Sequence, residues 1–432
     1  MRTTLAQVRS YDRSVQLLLV NQFTINLGFY MLMPYLAQHL SGSLGLAGWL
    51  VGLVLGVRNF SQQGMFLIGG TLADRLGYKP LIVAGCVLRT VGFATLGLVD
   101  SVPALLAASA ATGFAGALFN PAVRAYLAAD AGERRVEAFA LFNVFYQAGI
   151  LLGPLVGMLL TGFDFRATCL VSAGIFAVLS IVQIRALPAR TADDSPGRDA
   201  GQRGSVLSQW RSVVTNRPFL LFSTAMIGSY VLTFQVYLAL PLEVRRLGGE
   251  GEFGTVAVAV LFAVSGLATM LGQTRVTAWC KDRVSPGRAL AAGLLIMGLA
   301  FAPLLAATAL PVPGGGPGRW LLAAVPPTLA ALFLAFGTMI AYPFEMETIV
   351  QLSGDRLVAT HYGLYNTICG IGITLGNLLT GATLDAARRA GMSAVPWLAL
   401  LLLGLVCSAS LYGLHRAGRL TRPSPDPEPA VA

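Results

Sequence analysis

Two carboxylates and three guanidiniums stand where a chain of this composition tolerates charge least. Glu345 and Glu347 lie in one long apolar run, and Arg58, Arg89 and Arg124 each lie inside another. An ionisable side chain at the centre of an apolar span costs roughly 2.5–3.5 kcal/mol on insertion scales, so those present are expected to have a task. A carboxylate in low dielectric can bind and release a proton near ambient pH. Glu345 or Glu347 is therefore the expected proton-coupling acid. Two residues apart on a helix is about 200° of rotation, so one can face a cavity while the other faces a neighbour. The residue types are equally compatible with a structural pairing to arginine or with reach to the membrane interface. Glu243 is a third acid, at the outer end of its span.

Residues 70–79 read Gly-Thr-Leu-Ala-Asp-Arg-Leu-Gly-Tyr-Lys. Gly70 and Gly77 permit close helix approach and a tight turn. Asp74, placed just past a helix end, can face the positive N-terminus of a neighbouring helix. Arg75 and Lys79 can pair with acids on an adjacent loop, Asp130 and Glu133 among them. Such contacts would hold one side of the molecule shut and break as its parts move; the same charges also enforce topology. A third pattern, Gly149, Gly153, Pro154 and Gly157, puts three glycines on one helix face for close packing and bends the helix at the proline.

The elements that position these groups follow from composition. Of 432 residues 55% are hydrophobic and 12% charged, with mean hydropathy +0.69. A soluble domain carries about 25% charged residues, so this chain cannot cover a water-exposed surface. About 20 apolar residues span a bilayer core. Such segments recur at 15–38, 48–71, 81–99, 103–128, 138–161, 167–187, 219–242, 253–278, 288–310, 321–350, 358–384 and 395–414. The expected fold is an all-α integral membrane protein of twelve transmembrane helices in two pseudo-symmetric six-helix bundles. Residues 1–187 form the first bundle, 188–217 a polar linker, 218–415 the second bundle, and 416–432 a disordered tail. The halves repeat one another: Asn143 precedes Gly149 and Gly153 as Asn366 precedes Gly372 and Gly376. Such a repeat fits halves related by an axis along the membrane normal.

Net charge is +10, but its distribution excludes a nucleic-acid partner. Twenty-one of the 30 Lys and Arg fall on the side holding both termini, six on the other and three within spans, which is the positive-inside pattern. Both termini are thus expected in the cytoplasm, with the first span retained rather than cleaved. The five cysteines and three histidines show no metal-ligand spacing. No phosphate-cradling glycine loop is present. Neither an enzyme, a cofactor nor a metal is expected. The expected partners are a small-molecule substrate, protons and the lipid bilayer, and the chain is expected to be a monomer.

Amides and aromatics recur on the helices expected to line a central cavity. They are Asn21, Gln22, Asn26 and Tyr30 in the first span, Arg58 in the second, and Asn143 and Tyr146 in the fifth. Tyr230, Phe234 and Gln235 lie in the seventh, and Tyr365 and Asn366 in the eleventh. Large apolar cations or amphiphiles bind such walls through contact area and cation–π attraction. Any one of these residues serves ordinary helix packing equally well.

The 70–79 pattern resembles the loop between helices 2 and 3 of the major facilitator superfamily of secondary transporters. Gly-x-x-x-Gly-Pro-x-x-Gly at 149–157 resembles the antiporter motif of its drug:proton antiporters. With residues 57–64 (Val-Arg-Asn-Phe-Ser-Gln-Gln-Gly), Arg89 and Phe119-Asn120-Pro121, most of the chain is similar to the MdtH-type multidrug efflux proteins. The resemblance implies alternating access, with 70–79 as a cytoplasmic gate, and proton-driven export of drug-like compounds. An importer or facilitator of a sugar, organic acid or siderophore on the same fold is the alternative. There are departures. The family's helix-4 arginine is Ser109 here, so its proton-relay role does not carry over from that position, and Arg124, lower in the same helix, is the proton-coupling candidate to replace it. The acid many relatives carry in helix 1 is replaced by amides.

Overall fold

The computed structural model describes residues 2–161, 164–188, 205–249, 252–311 and 316–420. Inside a bilayer no water satisfies backbone groups, so each apolar run must close its own hydrogen bonds and becomes a helix. In the first half these are α1 (Arg13–Tyr30, continued by Met33–Gln38), α2 (Gly48–Leu76), α3 (Tyr78–Leu98), α4 (Val102–Ala131), α5 (Arg135–Thr161) and α6 (Phe165–Ala186). In the second they are α7 (Arg217–Phe234, continued by Ala239–Gly248), α8 (Glu252–Arg283), α9 (Pro286–Leu299, continued by Ala302–Ala307), α10 (Gly316–Ser353), α11 (Val358–Arg389) and α12 (Val395–Arg416). Among the described residues ten helical stretches are long and apolar enough to cross a membrane. One of these, Val102–Leu160, takes in both α4 and α5, and α2 is not among the ten. Arg58, Asn59, Ser61, Gln62 and Gln63 lower the hydropathy of α2. Counting it, and dividing α4 from α5, gives the twelve expected from sequence.

The gate segment departs from expectation in one respect. α2 continues to Leu76, so Asp74 and Arg75 are last-turn helical residues rather than loop residues. Nothing interrupts the helix until Gly77, whose φ of 94° turns the chain directly into α3 at Tyr78. The linker is also more structured than its composition indicated. Residues 189–204 and 421–432 lie outside the described residues, but Val206–Val214 is a helix with Gln209 and Val213 buried.

Two seams join the halves. α2 packs along α11, and α5 packs along α8. Moving six helices along the chain converts one seam into the other, as a two-fold relation between halves requires. The α2–α11 seam is tight because it is built on glycine. A side chain at Gly70 would run into the carbonyl of Ala359, and one at Gly363 into that of Phe66. Glycine also sets packing within each half. Gly149, Gly153 and Gly157 press against Phe23, Tyr30 and Met31 of α1, while Gly372 and Gly376 press against Ile227 and Val231 of α7.

Candidate functional site

The seams close one end of the molecule and part toward the other. At the closed end the Asp74 carboxylate accepts from the backbone N–H groups of Ala359 (3.2 Å) and Thr360 (2.7 Å) and from the Thr360 hydroxyl (2.6 Å). These N–H groups belong to the first turn of α11, where no intrahelical acceptor exists and the helix dipole is positive. Asp74 is 5% exposed, so these charge-assisted bonds act in low dielectric. The chain entering α11 holds Asp355 and Leu357 at φ 58° and 50°, the left-handed region that side chains avoid. Backbone in such regions costs about 1–3 kcal/mol per residue. The Asp74 cap and the Arg135–Asp355 ion pair (2.8 Å) hold it in place. On the other seam Lys281 pairs with Glu137, and Asn143 Nδ2 donates to Gln273 Oε1 at 2.7 Å.

The linker helix lies over this end. Arg75 Nε donates to Gln209 Oε1 (2.9 Å), and Trp210 Nε1 donates to Thr71 Oγ1 (2.8 Å). Lys79 donates to the carbonyl of Ile184 at 2.8 Å. The segment before α1 and the end of α12 meet the same end: Arg134, beside α5, bonds Ser10, and His415 of α12 lies 3.2 Å from Ser285.

Above the closed end the packed faces diverge. Continuing the α2 face outward from Gln63 leads to Phe60, 75% exposed, and to Gly56 and Gly52, which have open space around them. Between the halves on the α5–α8 side lies a cavity of about 620 Å³, lined by Tyr30, Pro154, Tyr237, Phe262, Gly266 and Thr338 among others. Its polar lining is confined to uncharged groups such as Gln147, Thr233 and Ser265.

The buried charges lie between this cavity and the closed end. Glu345 on α10 is 3% exposed and accepts from the Tyr365 hydroxyl at 2.6 Å. Tyr230 stands edge-on to Tyr365, with ring centroids 5.9 Å apart. The next residue on α11, Asn366, accepts from Arg124 of α4 at 2.9 Å. Asn143 and Asn366, the repeat-related pair, thus both bond across the two halves. Glu347, on the opposite side of α10, accepts from Gln351 at 3.1 Å.

In the first half Arg89 is 3% exposed, its guanidinium 4.8 Å from the ring centroids of both Phe29 and Phe119 and 5.4 Å from that of Phe176. Arg58 stacks on Phe29 as well, at 4.6 Å. Each such contact is worth about 0.5–2 kcal/mol, which offsets much of the roughly 2.5–3.5 kcal/mol that inserting the charge costs. Gly116 of α4 makes room: a Cβ there would lie 3.0 Å from Gln62 and 3.1 Å from Arg89.

Of the residues expected to line a cavity, Tyr30 lines the one between the halves, joined by Pro154 of the glycine motif. Asn21 instead accepts from Gln183 of α6 at 2.6 Å, inside the first half. Asn26 donates to the carbonyl of Gln22, and both are buried. Gln235 is buried against Val231 and Asn377. Phe234 packs at a tilt against Tyr237, ring centroids 5.7 Å apart, and is not itself in the lining. Tyr146 is half-buried and shares a side-chain hydrogen bond with Tyr30 of the lining. Glu243 is paired with Arg246 at 2.6 Å, at a separate cavity of about 350 Å³. Sequence reasoning missed Thr360, Gln273, Glu137 and the Gln209–Trp210 pair. Their partners are far along the chain, and no local pattern marks them.

Comparison with known proteins places the chain. The Major Facilitator Superfamily profile matches residues 18–377. An uncharacterized MFS-type transporter of Mycobacterium tuberculosis is 52% identical over 406 residues, covering 94% of both chains. The multidrug resistance protein MdtH of Salmonella arizonae is 29% identical over 397 residues, covering 91% of this chain and 92% of that one. Among solved structures, the human organic anion transporter MFSD10 superposes with a TM-score of 0.67 at 15% identity, over 92% of this chain and 99% of that one, a likeness of fold. The chain belongs to the Major Facilitator Superfamily and is a membrane transporter, not an enzyme.

Proposed function

We propose that this transporter exports apolar or amphiphilic, drug-like compounds from a bacterial cytoplasm across the inner membrane in exchange for protons. The observation that carries the reading is the joint placement of an apolar cavity between the halves and a buried carboxylate below it. Thr338 lines the cavity and Glu345 stands about two turns further along α10. The relatives named multidrug resistance proteins support export of this kind. The closed end, which carries Ser10, the end of α12 and the linker helix, is the cytoplasmic one, in keeping with its basic residues.

Coupling follows from what holds the closed end. Ionised Glu345 attracts Arg124, which belongs to the other half and is already bonded to α11 beside Tyr365. Protonation from the outer side removes that attraction and weakens the hold between α4 and α11. The seams then part at the cytoplasmic end and part of the cavity turns inward. There Glu345 loses its proton, substrate enters, and the ionised pair draws the end shut again. The 70–79 segment is the gate of this cycle, with Asp74 as its latch on α11. The 149–157 glycines keep α5 seated on α1 as the halves rock. The chain works as a single copy, each carrying its own cavity.

The test is dye efflux from everted membrane vesicles expressing the protein, with and without an imposed pH gradient. Gradient-driven uptake of N-phenyl-1-naphthylamine into the vesicles, collapsed by a protonophore, is expected. Transport indifferent to the gradient would remove proton antiport, and accumulation in the opposite direction would favour the importer.

A further inference from the structure

We propose that Arg58 binds the anionic group of an amphiphilic substrate, so that the preferred cargo is a carboxylate, sulfonate or zwitterion rather than a simple cation. This names a substrate class for the export reading above and rests on it.

The first observation is an uncompensated charge. No Asp or Glu occurs between Arg13 and Ala73, between Tyr78 and Val99, or between Ser101 and Ala129. Helices α1 to α4 therefore carry Arg58, Arg89 and Arg124 with no acid in their interiors. Among the described residues no carboxylate lies within ion-pairing distance of Arg58 or Arg89, and the buried Nε of each has no hydrogen-bond partner. The acceptors Arg58 does have are neutral amides, Asn59 Oδ1 at 2.9 Å and Gln62 Oε1 at 3.0 Å. They orient the guanidinium without cancelling its charge. Arginine presents a planar fork of donors matched to carboxylate and sulfonate.

The second observation is access. Arg58 is half-buried, and its neighbours Asn59 and Phe60 on α2 are exposed. Phe29, on which Arg58 stacks, stands edge-on to Tyr30 at 5.1 Å, and Tyr30 lines the cavity. An apolar body in the cavity can thus place a charged group past Tyr30 onto Arg58. Arg89 is sealed behind Phe29 and acts as a positioning residue. Its positive charge shares that ring and raises the local potential without touching the ligand. A cationic group would meet repulsion at the same place, and Glu345, the buried acid of α10, is turned toward Tyr365 of its own half.

A matched pair of probes tests this: 8-anilino-1-naphthalenesulfonate and N-phenyl-1-naphthylamine, which share a ring system and differ by the sulfonate. Binding is read by fluorescence with the full chain in phosphatidylcholine nanodiscs, empty nanodiscs being subtracted. The wild type is expected to bind the anion about tenfold more tightly than the neutral probe, the scale of one charged hydrogen bond. Arg58→Gln should erase that preference while leaving the neutral affinity in place, and Arg58→Lys should retain part of it. Equal affinities in the wild type would overturn the proposal, whatever the variants do. So would an Arg58→Gln that weakens both probes alike, which marks a structural role. Binding needs neither transport nor a gradient. Anion preference without efflux would end the export reading alone, and efflux of neutral compounds without anion preference would end this one alone.

Discussion

Replacing Asp74 by Asn should open the end of the molecule that it holds closed. The carboxylate accepts from two N–H groups and one hydroxyl at the start of α11, two of them at 2.7 Å or less. A hydrogen bond to a charged group contributes about 1.5–3 kcal/mol net of water, and a charge at a partly buried helix terminus adds up to about 2 kcal/mol. The amide is almost isosteric but uncharged, and its NH₂ faces donors. We expect a loss of roughly 3 kcal/mol, which moves the closed-to-open ratio by about 100-fold. Spin labels on exposed Glu133 and Asp282, one in each half at the same end, read that ratio as a distance distribution. The wild type should give a short distance and Asp74→Asn a mostly long one. Thr360→Val removes the hydroxyl donor and keeps the N–H groups, so its shift should be about tenfold. Adding Thr360→Val to Asp74→Asn should move the ratio little further. An Asp74→Asn protein as closed as the wild type, or a double variant showing the two shifts in full, would refute the reasoning.

Three further outcomes follow. Gly70→Ala places a Cβ against the Ala359 carbonyl and should lengthen the same label distance, whereas Gly52→Ala, which meets open space, should not. Reversing one charge of the Lys281–Glu137 pair should loosen the α5–α8 seam, and the double reversal Glu137→Lys with Lys281→Glu should restore it to within about 0.5 kcal/mol, read by the same labels in a double-mutant cycle. Trp210→Ala removes the indole donor to Thr71 and should release the linker helix from α2, a loss of about 1–1.5 kcal/mol. Faster proteolysis within 206–214 is the check, and unchanged cleavage would mean the helix is held by other contacts.

What was legible in the sequence was what periodicity and composition control. Apolar runs of spanning length gave the helices, since lipid leaves the backbone no other partner. Glycine spacing marked the faces that pack closely, because a missing Cβ is visible in sequence whatever lies opposite. Local patterns also picked out Glu345 and Glu347 as acids inside a span and Asp74 as part of a charged turn. What they touch was not legible. Thr360 is 286 residues from Asp74, and only the fold brings α11 onto α2. Helix ends were misjudged where a polar last turn looks like a loop, as at Asp74 and Arg75. The amides of α1 looked like cavity groups because polarity in a span suggests function. Asn21 accepts from Gln183 and Asn26 donates to the Gln22 carbonyl, bonds within the first half that only the fold reveals. The linker helix was hidden by the polar stretch before it, although Trp210 and Val213 are the apolar residues such a docking contact needs.

The most direct test compares wild type, Glu345→Gln and Glu347→Gln in proteoliposomes, with substrate movement followed under an imposed pH gradient and without one. The account predicts that the gradient drives the wild type and Glu347→Gln, while Glu345→Gln exchanges substrate across the membrane at a rate the gradient does not change. Gradient-driven accumulation by Glu345→Gln would contradict it.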